Sequence, residues 1–450
     1  MKKVVLINSP IYDRKVADKE DYLPPLGLGY IATEMERNGI DVQILDAVFN
    51  NYTINEIIDI LNIQKPEFVG VNIFSVNFDL VKQLIERYTC KTTFLVGGKT
   101  VKHIYKDILS FNTPNKIICT VGEGEYVNTA IVLGNVISSP KVHNGDNRLA
   151  YFVDKDSPYF PKDISSLTLN RKFFLDRQII NPYSKVEEAI VTSRECIYNC
   201  AFCGAARSIN RDSYARSRKT ESIVDELTQI KNEHPHTQSI RVLDDLFLRN
   251  RESIKKAVGI FSKFDYDWRA MCHIKSLVNN TDLLPQLAQS KCRELEIGIE
   301  SGNADIRKYI HKESSLNEVK EVIYEVLING INVKAYFILG FPTETYEQCL
   351  DTFKFAKELA QISRNTVGNF RVSAFQFRPY HGTELFGKIS GFVPKYTINN
   401  NLNNKSRQQF NFTAGNFSNC PQDKLDKLIN MTNNLSEEEH RDEYAECQRM

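Results

Sequence analysis

Short apolar runs alternate with stretches of helical spacing along most of this chain, and the alternation comes in two blocks. In the first block the apolar runs cover residues 3–8, 41–46, 68–73, 93–96 and 116–120. Helical spacing is found at residues 26–38, 54–62, 78–88 and 123–133. Such short apolar runs are typical of strands that are buried on both faces of a parallel sheet. The first block therefore predicts a doubly wound, Rossmann-like α/β sheet.

The second block begins near residue 187 and predicts six more parallel strands. They cover residues 188–194, 239–243, 268–272, 294–299, 332–339 and 370–375. Helical stretches at residues 221–233, 253–264, 283–290, 316–327 and 346–360 separate them. Six repeats are too few for a closed eight-stranded barrel, so we expect a partial (β/α)6 barrel of the TIM type.

A turn-rich segment lies between the two blocks and predicts a linker. We accordingly divide the chain into a Rossmann-like domain at residues 1–135, a linker at 136–186, a partial barrel at 187–390 and a small C-terminal segment at 391–450. The last segment is expected to cover the substrate, with a polar loop at 399–405 and a helix at 424–441.

Three cysteines, Cys196, Cys200 and Cys203, lie within eight residues just after the first strand of the second block. Thiolates at this spacing can bind three irons of a four-iron, four-sulfur cluster and leave the fourth iron open to a cofactor or substrate. A structural zinc site commonly takes two short pairs of ligands. No second pair exists here, and cysteines are too sparse for a disulfide framework. The spacing favours the cluster over both alternatives.

Glycine-rich turns follow several strands of the first block, at Pro24-Pro25-Leu26-Gly27, Gly97-Gly98 and Gly122-Glu123-Gly124. Any single one of them is explained equally well as a tight strand-to-helix turn or as a close approach to a ligand. Ligands of such sheets bind beyond the carboxyl ends of the strands, so three turns at one edge favour a flat, bulky ligand. The Walker and dinucleotide patterns are absent, which disfavours a nucleoside triphosphate or NAD.

Polar residues also end the strands of the second block. Asp244 and Asp245 follow the second strand, where they are able to accept hydrogen bonds from a cofactor or to cap a helix. Glu300 and Ser301 end the fourth strand, and Leu339 ends the fifth. Trp268 is predicted to pack in the core, Arg269 receives no role, and residues 309–312 are expected to form a solvated helix face.

The cysteine spacing, with the aromatic Phe202 before the last cysteine, resembles the signature of radical S-adenosylmethionine enzymes. Gly298-Ile299-Glu300-Ser301-Gly302, the segment 338–345 around Leu339, and Pro379-Tyr380-His381-Gly382-Thr383 are similar to later motifs of that family, in the same order. The turns of the first block resemble the cobalamin-binding domain that precedes such barrels. The resemblance spans most of the chain.

This resemblance implies a [4Fe-4S] cluster, S-adenosylmethionine and cobalamin as cofactors. It assigns Cys196, Cys200 and Cys203 to the cluster but no catalytic residue. Cofactor contacts are implied for Phe202, Asp244, Asp245, Glu300, Ser301, Leu339, Pro24, Leu26, Gly27, Gly97, Gly98, Gly122, Glu123 and Gly124. The chain departs from better-known cobalamin modules in lacking Asp-x-His-x-x-Gly, and His103 and His143 stand in other settings. We therefore expect no histidine below the corrinoid.

The function that the resemblance implies is methyl transfer to an unactivated carbon of a small metabolite or peptide in a biosynthetic pathway. The alternatives are an oxidative rearrangement or cyclisation by the same domains, and a regulator without turnover; methylthio transfer would need a further cluster. An electron donor such as flavodoxin or ferredoxin is expected. The formal charge of +1 gives no sign of a nucleic-acid or membrane partner. Unpaired cysteines without an export signal predict a cytoplasmic location.

Overall fold

The computed structural model describes residues 2–11, 22–142, 145–174, 178–389 and 415–447 of the chain. Within these ranges most strands belong to two seven-stranded sheets, each with six parallel strands and one short antiparallel strand at an edge. Both sheets are built from β-α repeats, as the two blocks of the sequence predict. The α/β class is confirmed, with a doubly wound sheet followed by a partial barrel.

The first sheet has the strand order β2-β1-β3-β4-β5-β7-β6. Its strands are β1 (Lys3–Asn8), β2 (Asp41–Asp46), β3 (Phe68–Asn72), β4 (Thr93–Gly97), β5 (Lys116–Gly122), β6 (Lys141–Val142) and β7 (Arg148–Val153). Its helices are α1 (Leu26–Arg37), α2 (Ile54–Gln64), α3 (Phe78–Arg87), α4 (Val101–Leu109) and α5 (Glu125–Leu133). The strand order reverses between β1 and β3, and such a switch point opens a ligand crevice at the carboxyl ends of the strands.

The predicted linker begins too early, because β7 belongs to the first sheet. It pairs with β5 in parallel from Ile117 opposite Arg148 to Gly122 opposite Val153. The sequence analysis places this strand in the linker because it directly follows the turn at Gly145. The sequence analysis also fails to predict helix α4, although Val101, Ile104 and Ile108 have helical spacing and are buried. The first sheet therefore extends to Val153 rather than ending near residue 135.

The second sheet has the order β16-β15-β14-β13-β12-β9-β8 and stays open. The strands of this half are β8 (Ile179–Ile180), β9 (Val186–Ile190), β10 (Ser193–Arg194), β11 (Arg216–Ser217), β12 (Ser239–Val242), β13 (Asp267–Cys272), β14 (Cys292–Glu300), β15 (Asn332–Leu339) and β16 (Phe370–Gln376). The helices are α6 (Thr220–Glu233), α7 (Arg251–Phe261), α8 (Ile274–Val278), α9 (Leu284–Gln289), α10 (Ala304–Tyr309), α11 (Leu316–Ile328), α12 (Tyr346–Ser363), α13 (Glu384–Ile389) and α14 (Gln422–Cys447).

The first predicted strand of this half divides in two. After β9 the chain leaves the sheet, and β10 pairs with β11 in an antiparallel bridge, Ser193 opposite Ser217 and Arg194 opposite Arg216. The three cysteines lie on the loop between these two short strands. The loop is therefore closed at both ends by the same small pairing.

The C-terminal helix α14 packs on α12 and β16 and contains the predicted helix at residues 424–441. Leu425 and Ile429 are fully buried in this contact, and complete burial of such a side chain is worth about 1.5–3 kcal/mol. The side-chain amide of Asn433 accepts a hydrogen bond from the Ala374 N–H at 2.7 Å and donates one to the Ala374 carbonyl at 3.0 Å. The predicted polar loop at 399–405 lies outside the described residues.

The carboxyl edges of the two sheets face each other. The Lys99 ammonium, after β4, lies 2.6 Å from the Asp245 carboxylate, after β12. The Ser75 hydroxyl, after β3, lies 2.9 Å from Nδ1 of His381, after β16. Both ligand-binding edges therefore border one space between the sheets. None of the helices in the described ranges is long and apolar enough to cross a membrane.

Candidate cofactor site between the two sheets

The cysteine loop is fixed at Ala201, directly after Cys200, by two backbone hydrogen bonds. The Ala201 N–H donates to the Ile310 carbonyl at 3.1 Å, and the Leu385 N–H donates to the Ala201 carbonyl at 3.0 Å. Within the loop, the Cys203 N–H donates to the Cys200 carbonyl at 3.1 Å. The spacing of the three thiols therefore rests on contacts with α10 and α13, not on the loop alone.

The thiols lie in surroundings that suit an iron–sulfur cluster. The Tyr198 N–H donates to Sγ of Cys196 at 3.5 Å, and the Ala205 N–H donates to Sγ of Cys203 at 3.4 Å. Hydrogen bonds of this kind tune the potential of a cluster. Burial raises the pKa of the Cys203 thiol to about 11, and it also raises the pKa values of Cys196 and Cys200. Metal binding must therefore release protons from these thiols.

The donor set fits a four-iron cluster better than a single ion. Among the described residues no three His, Cys, Asp or Glu side chains converge on one metal ion. A cluster has no such requirement, because each thiolate binds its own iron. The zinc alternative needs four converging ligands, so the geometry of this loop disfavours it.

Asp244 holds the start of the cysteine loop. Its carboxylate accepts hydrogen bonds from the Thr192 N–H at 2.7 Å and from the hydroxyls of Thr192 and Ser193, each at 2.6 Å. Burial raises the pKa of Asp244, and these three bonds oppose the rise. Asp244 therefore positions the backbone four residues before Cys196, and its direct contact with a cofactor stays a prediction. The neighbouring Asp245 is exposed and pairs with Lys99.

Glu300 forms a buried ion pair with Lys312. The Lys312 ammonium lies 3.3 Å from Oε1 of Glu300 and donates to the Gly298 carbonyl at 2.8 Å. A Cβ at position 298 would lie 2.3 Å from the same Oε1, so a larger residue there would have to displace the Glu300 carboxylate. Burial raises the pKa of Glu300, and Lys312 acts against that rise. The expectation that residues 309–312 form a solvated face is wrong for Ile310 and Lys312, which are both buried.

Phe202, Ser301 and Leu339 contribute to packing around this site. The Phe202 ring lies 5.7 Å from that of Phe341. Ser301 is fully buried, with its hydroxyl 3.1 Å from that of Thr352. Leu339 is fully buried at the end of β15. Their predicted contacts with a cofactor stay predictions.

The glycines of the first sheet divide into two groups. Gly98 and Gly122 have φ of +124° and +115°, and a Cβ would lie 2.4 Å from the Ile73 carbonyl oxygen at Gly98 and 2.2 Å from that of Val153 at Gly122. These two are required by the turns themselves. A Cβ at Gly97 or Gly27 meets nothing within 4 Å. The open space at these two positions fits a bulky ligand at the sheet edge, such as cobalamin.

The other residues of these turns also make packing contacts within the protein. Leu26 is buried in an apolar cluster with Leu167 and Ala189, and Pro24 lies half-buried before it. A Cβ at Gly124 would lie 2.6 Å from the Asn128 amide nitrogen. Leu26 therefore joins the first sheet to the segment that leads into the barrel.

Glu123 joins the first sheet to the cysteine loop rather than standing free at the edge. Its carboxylate accepts hydrogen bonds from the guanidinium groups of Arg194 and Arg216, the two facing residues of β10 and β11. Arg194 also donates to Oε1 of the buried Glu125 at 2.6 Å, while Oε2 of Glu125 has no partner. The sequence analysis missed Glu125, Arg194 and Arg216. One feature of the sequence could have predicted these contacts: the acidic turn Gly-Glu-Gly-Glu is complementary in charge to the arginines on either side of the cysteines.

The other residues that the sequence analysis considered are the two histidines of the first domain, Trp268 and Arg269. His103 lies on α4 with its ring against Gly382, and His143 lies outside the described residues. The absence of a histidine below a corrinoid stays a prediction. Trp268 is fully buried and stacks on Phe261 at 4.6 Å, which confirms its place in the core. Arg269 is buried in ion pairs with the strand carboxylates of Glu187, Glu294 and Glu296.

Two family models match the chain, one for each sheet. The model of the B12 binding domain matches residues 16–132, and the model of the radical SAM superfamily matches residues 190–356. The second match includes the cysteine loop, Asp244, Glu300 and Leu339. The first includes the glycine-edged turns and Glu123.

Three curated relatives align with this chain across both domains. The chain is 25% identical over 393 residues to the uncharacterized methyltransferase PH0819 of Pyrococcus horikoshii, covering 84% of this chain and 79% of the relative. It is 23% identical to cytidylyl-2-hydroxyethylphosphonate methyltransferase of Streptomyces wedmorensis, covering 82% and 78%. It is also 23% identical to the anaerobic magnesium-protoporphyrin IX monomethyl ester cyclase of Rubrivivax gelatinosus, covering 79% and 65%.

Solved structures share the fold. The cobalamin-dependent S-adenosylmethionine radical enzyme OxsB, with aqua-cobalamin and S-adenosylmethionine bound, matches with a TM-score of 0.59 at 17% identity, and the match covers 79% of this chain and 52% of OxsB. The radical S-adenosylmethionine methyltransferase TsrM from Kitasatospora setae, with tryptophan substrate and a SAM analogue bound, matches with a TM-score of 0.63 at 14% identity, and the match covers 90% and 79%. At these identities the likeness concerns the fold alone.

Proposed function

Because the chain belongs to the radical S-adenosylmethionine enzymes that carry a B12 binding domain, we propose that it transfers a methyl group to an unactivated carbon. The substrate class is a small metabolite or a peptide in a biosynthetic pathway. The observation that carries the proposal is that the carboxyl edges of the two sheets face each other across the Lys99–Asp245 pair. A cobalamin on the first edge and a cluster on the second then act on the same substrate.

When bound, the cluster together with S-adenosylmethionine would supply radical chemistry for the removal of a hydrogen atom from the substrate, and cobalamin would supply the methyl group. Cys196, Cys200 and Cys203 would bind three irons, with Asp244 holding the backbone that leads into them. Glu300, which is paired with Lys312, would accept hydrogen bonds from the S-adenosylmethionine.

The chain also orients the two cofactors relative to each other. Arg194 precedes Cys196 by two residues and is hydrogen-bonded to Glu123 and Glu125 of the first sheet. A guanidinium that bridges two carboxylates has a fixed geometry. The cysteine loop and the cobalamin edge are therefore expected to move as one unit. Closing the edges against each other also excludes water from a radical reaction.

A cyclisation or rearrangement is the second candidate, because one relative is a cyclase with similar coverage. Both reactions use the same domains and differ in their products. Methyl transfer adds one methylene to the mass of the substrate, whereas cyclisation adds none. A regulator that binds the cofactors without turnover would release no 5′-deoxyadenosine.

The test is an anaerobic incubation of the reconstituted protein with reductant, S-adenosylmethionine and candidate metabolite extracts. We expect 5′-deoxyadenosine together with a product that is heavier by one methylene. 5′-Deoxyadenosine with an unmethylated product would reject methyl transfer in favour of the second candidate. The Cys203→Ala variant should release no 5′-deoxyadenosine. Cys90→Ala is the matched control, because Cys90 lies on the first domain, where its thiol donates to the Asn62 side chain at 3.3 Å.

A further inference from the structure

The side chains of the barrel strands alternate between the helix-covered face of the second sheet and its concave face. On β13, Trp268 and Ala270 belong to the apolar core under the helices, which leaves Arg269 and Met271 on the concave face. The same alternation on the neighbouring strands adds Arg241, Glu296, Tyr336 and Phe375 to that face. The concave face therefore combines charged groups with apolar surface.

Glu296 is a fully buried carboxylate of the concave face whose charge is matched from within the protein. It accepts hydrogen bonds from the Tyr336 hydroxyl at 2.8 Å, from Arg241 at 2.9 Å and from Arg269 at 3.3 Å. Burial acts to raise its pKa, but the cations of Arg241, Arg269 and Lys334 lower the pKa of Glu296 to about 2. Glu296 is therefore ionised and its oxygens are already occupied.

Arg241 uses only part of its guanidinium in this contact. Its Nη2 lies 2.9 Å from both oxygens of Glu296. A guanidinium has five N–H donors in a planar fork, and those on Nε and Nη1 of Arg241 have no partner among the described residues. The side chain is 13% exposed. An anion at these donors would meet a fixed positive charge that is largely shielded from water.

The other arginines of the concave face are more fully used. Arg269 donates through Nε, Nη1 and Nη2 to the carboxylates of Glu187, Glu294 and Glu296. Arg371 donates through Nε and Nη2 to Glu294. These two arginines hold the sheet together, whereas Arg241 keeps donors for a ligand.

The surface beside Arg241 is apolar. Met271 is 39% exposed although β13 is the central strand of the sheet. The half-buried rings of Tyr336 and Phe375 stack with their centroids 6.3 Å apart. Apolar walls with a few polar groups are typical of a small-molecule site. A strand rises about 3.3 Å per residue, so Arg241 lies about 10 Å below Asp244 at the predicted cofactor edge.

We propose that Arg241 determines the substrate specificity of the methyl transfer and that the substrate is a carboxylic acid with an apolar body. The carboxylate binds the donors on Nε and Nη1, the body lies against Met271 and the two stacked rings, and the target carbon reaches the cofactor edge. This assignment rests on the proposed function. One guanidinium neutralises a single charge, which favours a carboxylate over a phosphate monoester with nearly two charges.

The first test titrates the reconstituted holoenzyme with hydrocinnamate and with its neutral amide, followed by ligand-observed NMR. We expect the wild type to prefer the acid, and Arg241→Gln to bind the acid about tenfold or more weakly. Arg241→Lys keeps a cation beside Glu296 but lacks the planar fork, so its affinity should be intermediate. Arg364→Gln is the matched control, because Arg364 is exposed at the end of α12 and has no ion pair in the described ranges.

Three results of this titration would overturn the proposal. They are no binding of hydrocinnamate by the wild type, equal affinity of the wild type for the acid and the amide, and equal affinity of the wild type and Arg241→Gln for the acid. Thermal melting of Arg241→Lys should match the wild type, because the ion pair with Glu296 is kept. A weaker acid affinity in that variant then reports the lost fork and not a lost fold.

A second test uses the anaerobic incubation with metabolite extracts. Carbodiimide with methylamine converts the carboxylates of the extract to amides and should abolish the methylated product, whereas phosphatase treatment should leave it. A product that survives amidation, or one that is lost after phosphatase treatment, would reject a carboxylate substrate. Failure of the proposed function looks different: the untreated extract then yields no product heavier by one methylene, while hydrocinnamate binding still depends on Arg241.

Discussion

The ammonium group of Lys99 lies 2.6 Å from the carboxylate of Asp245, so one ion pair spans the distance between the two sheets. Lys99 follows Gly97 and Gly98 at the end of β4, and Asp245 follows Asp244 at the end of β12. Each partner therefore lies next to residues that the sequence assigns to a different cofactor. The pair marks the place where the two predicted cofactor sites meet.

The two adjacent aspartates should respond differently to truncation. Asp244→Ala leaves three buried donors of Thr192 and Ser193 without their acceptor, and we expect about 1–3 kcal/mol less stability in urea unfolding. The variant should also retain less iron after reconstitution. Asp245→Ala removes only an exposed pair, worth about 0–1 kcal/mol. Equal losses for the two variants would contradict the positioning role of Asp244.

Substitutions at two neighbouring glycines should distinguish an effect on folding from an effect on cobalamin binding. Gly97→Ala places its methyl group in open space, so the thermal stability of the apoprotein should stay unchanged while the retained corrinoid, measured by absorbance, decreases. Gly98→Ala places a Cβ 2.4 Å from the Ile73 carbonyl oxygen at a φ of +124°, so it should destabilise the apoprotein itself. Full corrinoid retention by Gly97→Ala would show that the ligand does not approach this turn.

Loss of Lys312 should weaken S-adenosylmethionine binding. Lys312→Met leaves Glu300 buried without its cation, which favours the protonated carboxyl and removes a charged acceptor. We expect S-adenosylmethionine to bind about 10–100-fold more weakly to the reconstituted protein in equilibrium dialysis. Lys312→Arg keeps the charge and should restore part of the affinity. Lys308→Met, on the exposed face of α10, is the matched control and should bind as the wild type does.

Glu344 should give the protein a distinctive dependence on pH. Burial raises the pKa of its carboxyl to about 7, Oε2 accepts the N–H groups of Gly340 and Phe341, and Oε1 has no partner. The native state therefore holds a proton that the unfolded chain releases near pH 4.5. The stability this group contributes is present below that value and is lost as the pH rises through 7.

Glu344→Gln cannot ionise, so its stability relative to the wild type should increase between pH 5 and pH 8, by about 3 kcal/mol. Urea unfolding at several pH values measures this gap. Glu347→Gln is the control, because the pKa of that exposed carboxyl is lowered by backbone hydrogen bonding and it stays ionised throughout this range. If the difference in unfolding free energy between Glu344→Gln and the wild type does not change with pH, Glu344 does not hold a buried proton in the native state.

Most strands and helices were predictable because their apolar spacing is local, although helix α4 and strand β7 were missed. The cysteine motif was equally readable, since its ligands are neighbours along the chain. The interface between the sheets was not predictable. Glu123 was predicted to contact a cofactor, and that stays a prediction, but its pairing with Arg194 and Arg216, 71 and 93 residues away, was missed. One sequence does not reveal which distant charges pair.

Lys312 shows a second limit of prediction from the sequence. Its helical neighbours suggested a solvated face, but α10 ends at Tyr309, and His311 adopts a positive φ of 62°. That left-handed residue redirects the chain, so Lys312 turns inward to Glu300. A single reversal of the backbone, which the residue type of His311 does not announce, thus changed a surface lysine into a buried one.

The contact between Asn433 and Ala374 has a consequence for how copies of this protein behave toward one another. Ala374 lies on β16, which has no further strand beside it among the described residues. An uncovered strand edge is a template on which another chain can add its own strand. The asparagine amide satisfies both peptide groups of Ala374, as a neighbouring strand would. Helix α14 therefore occupies this edge at Ala374, where an added strand would otherwise form its hydrogen bonds.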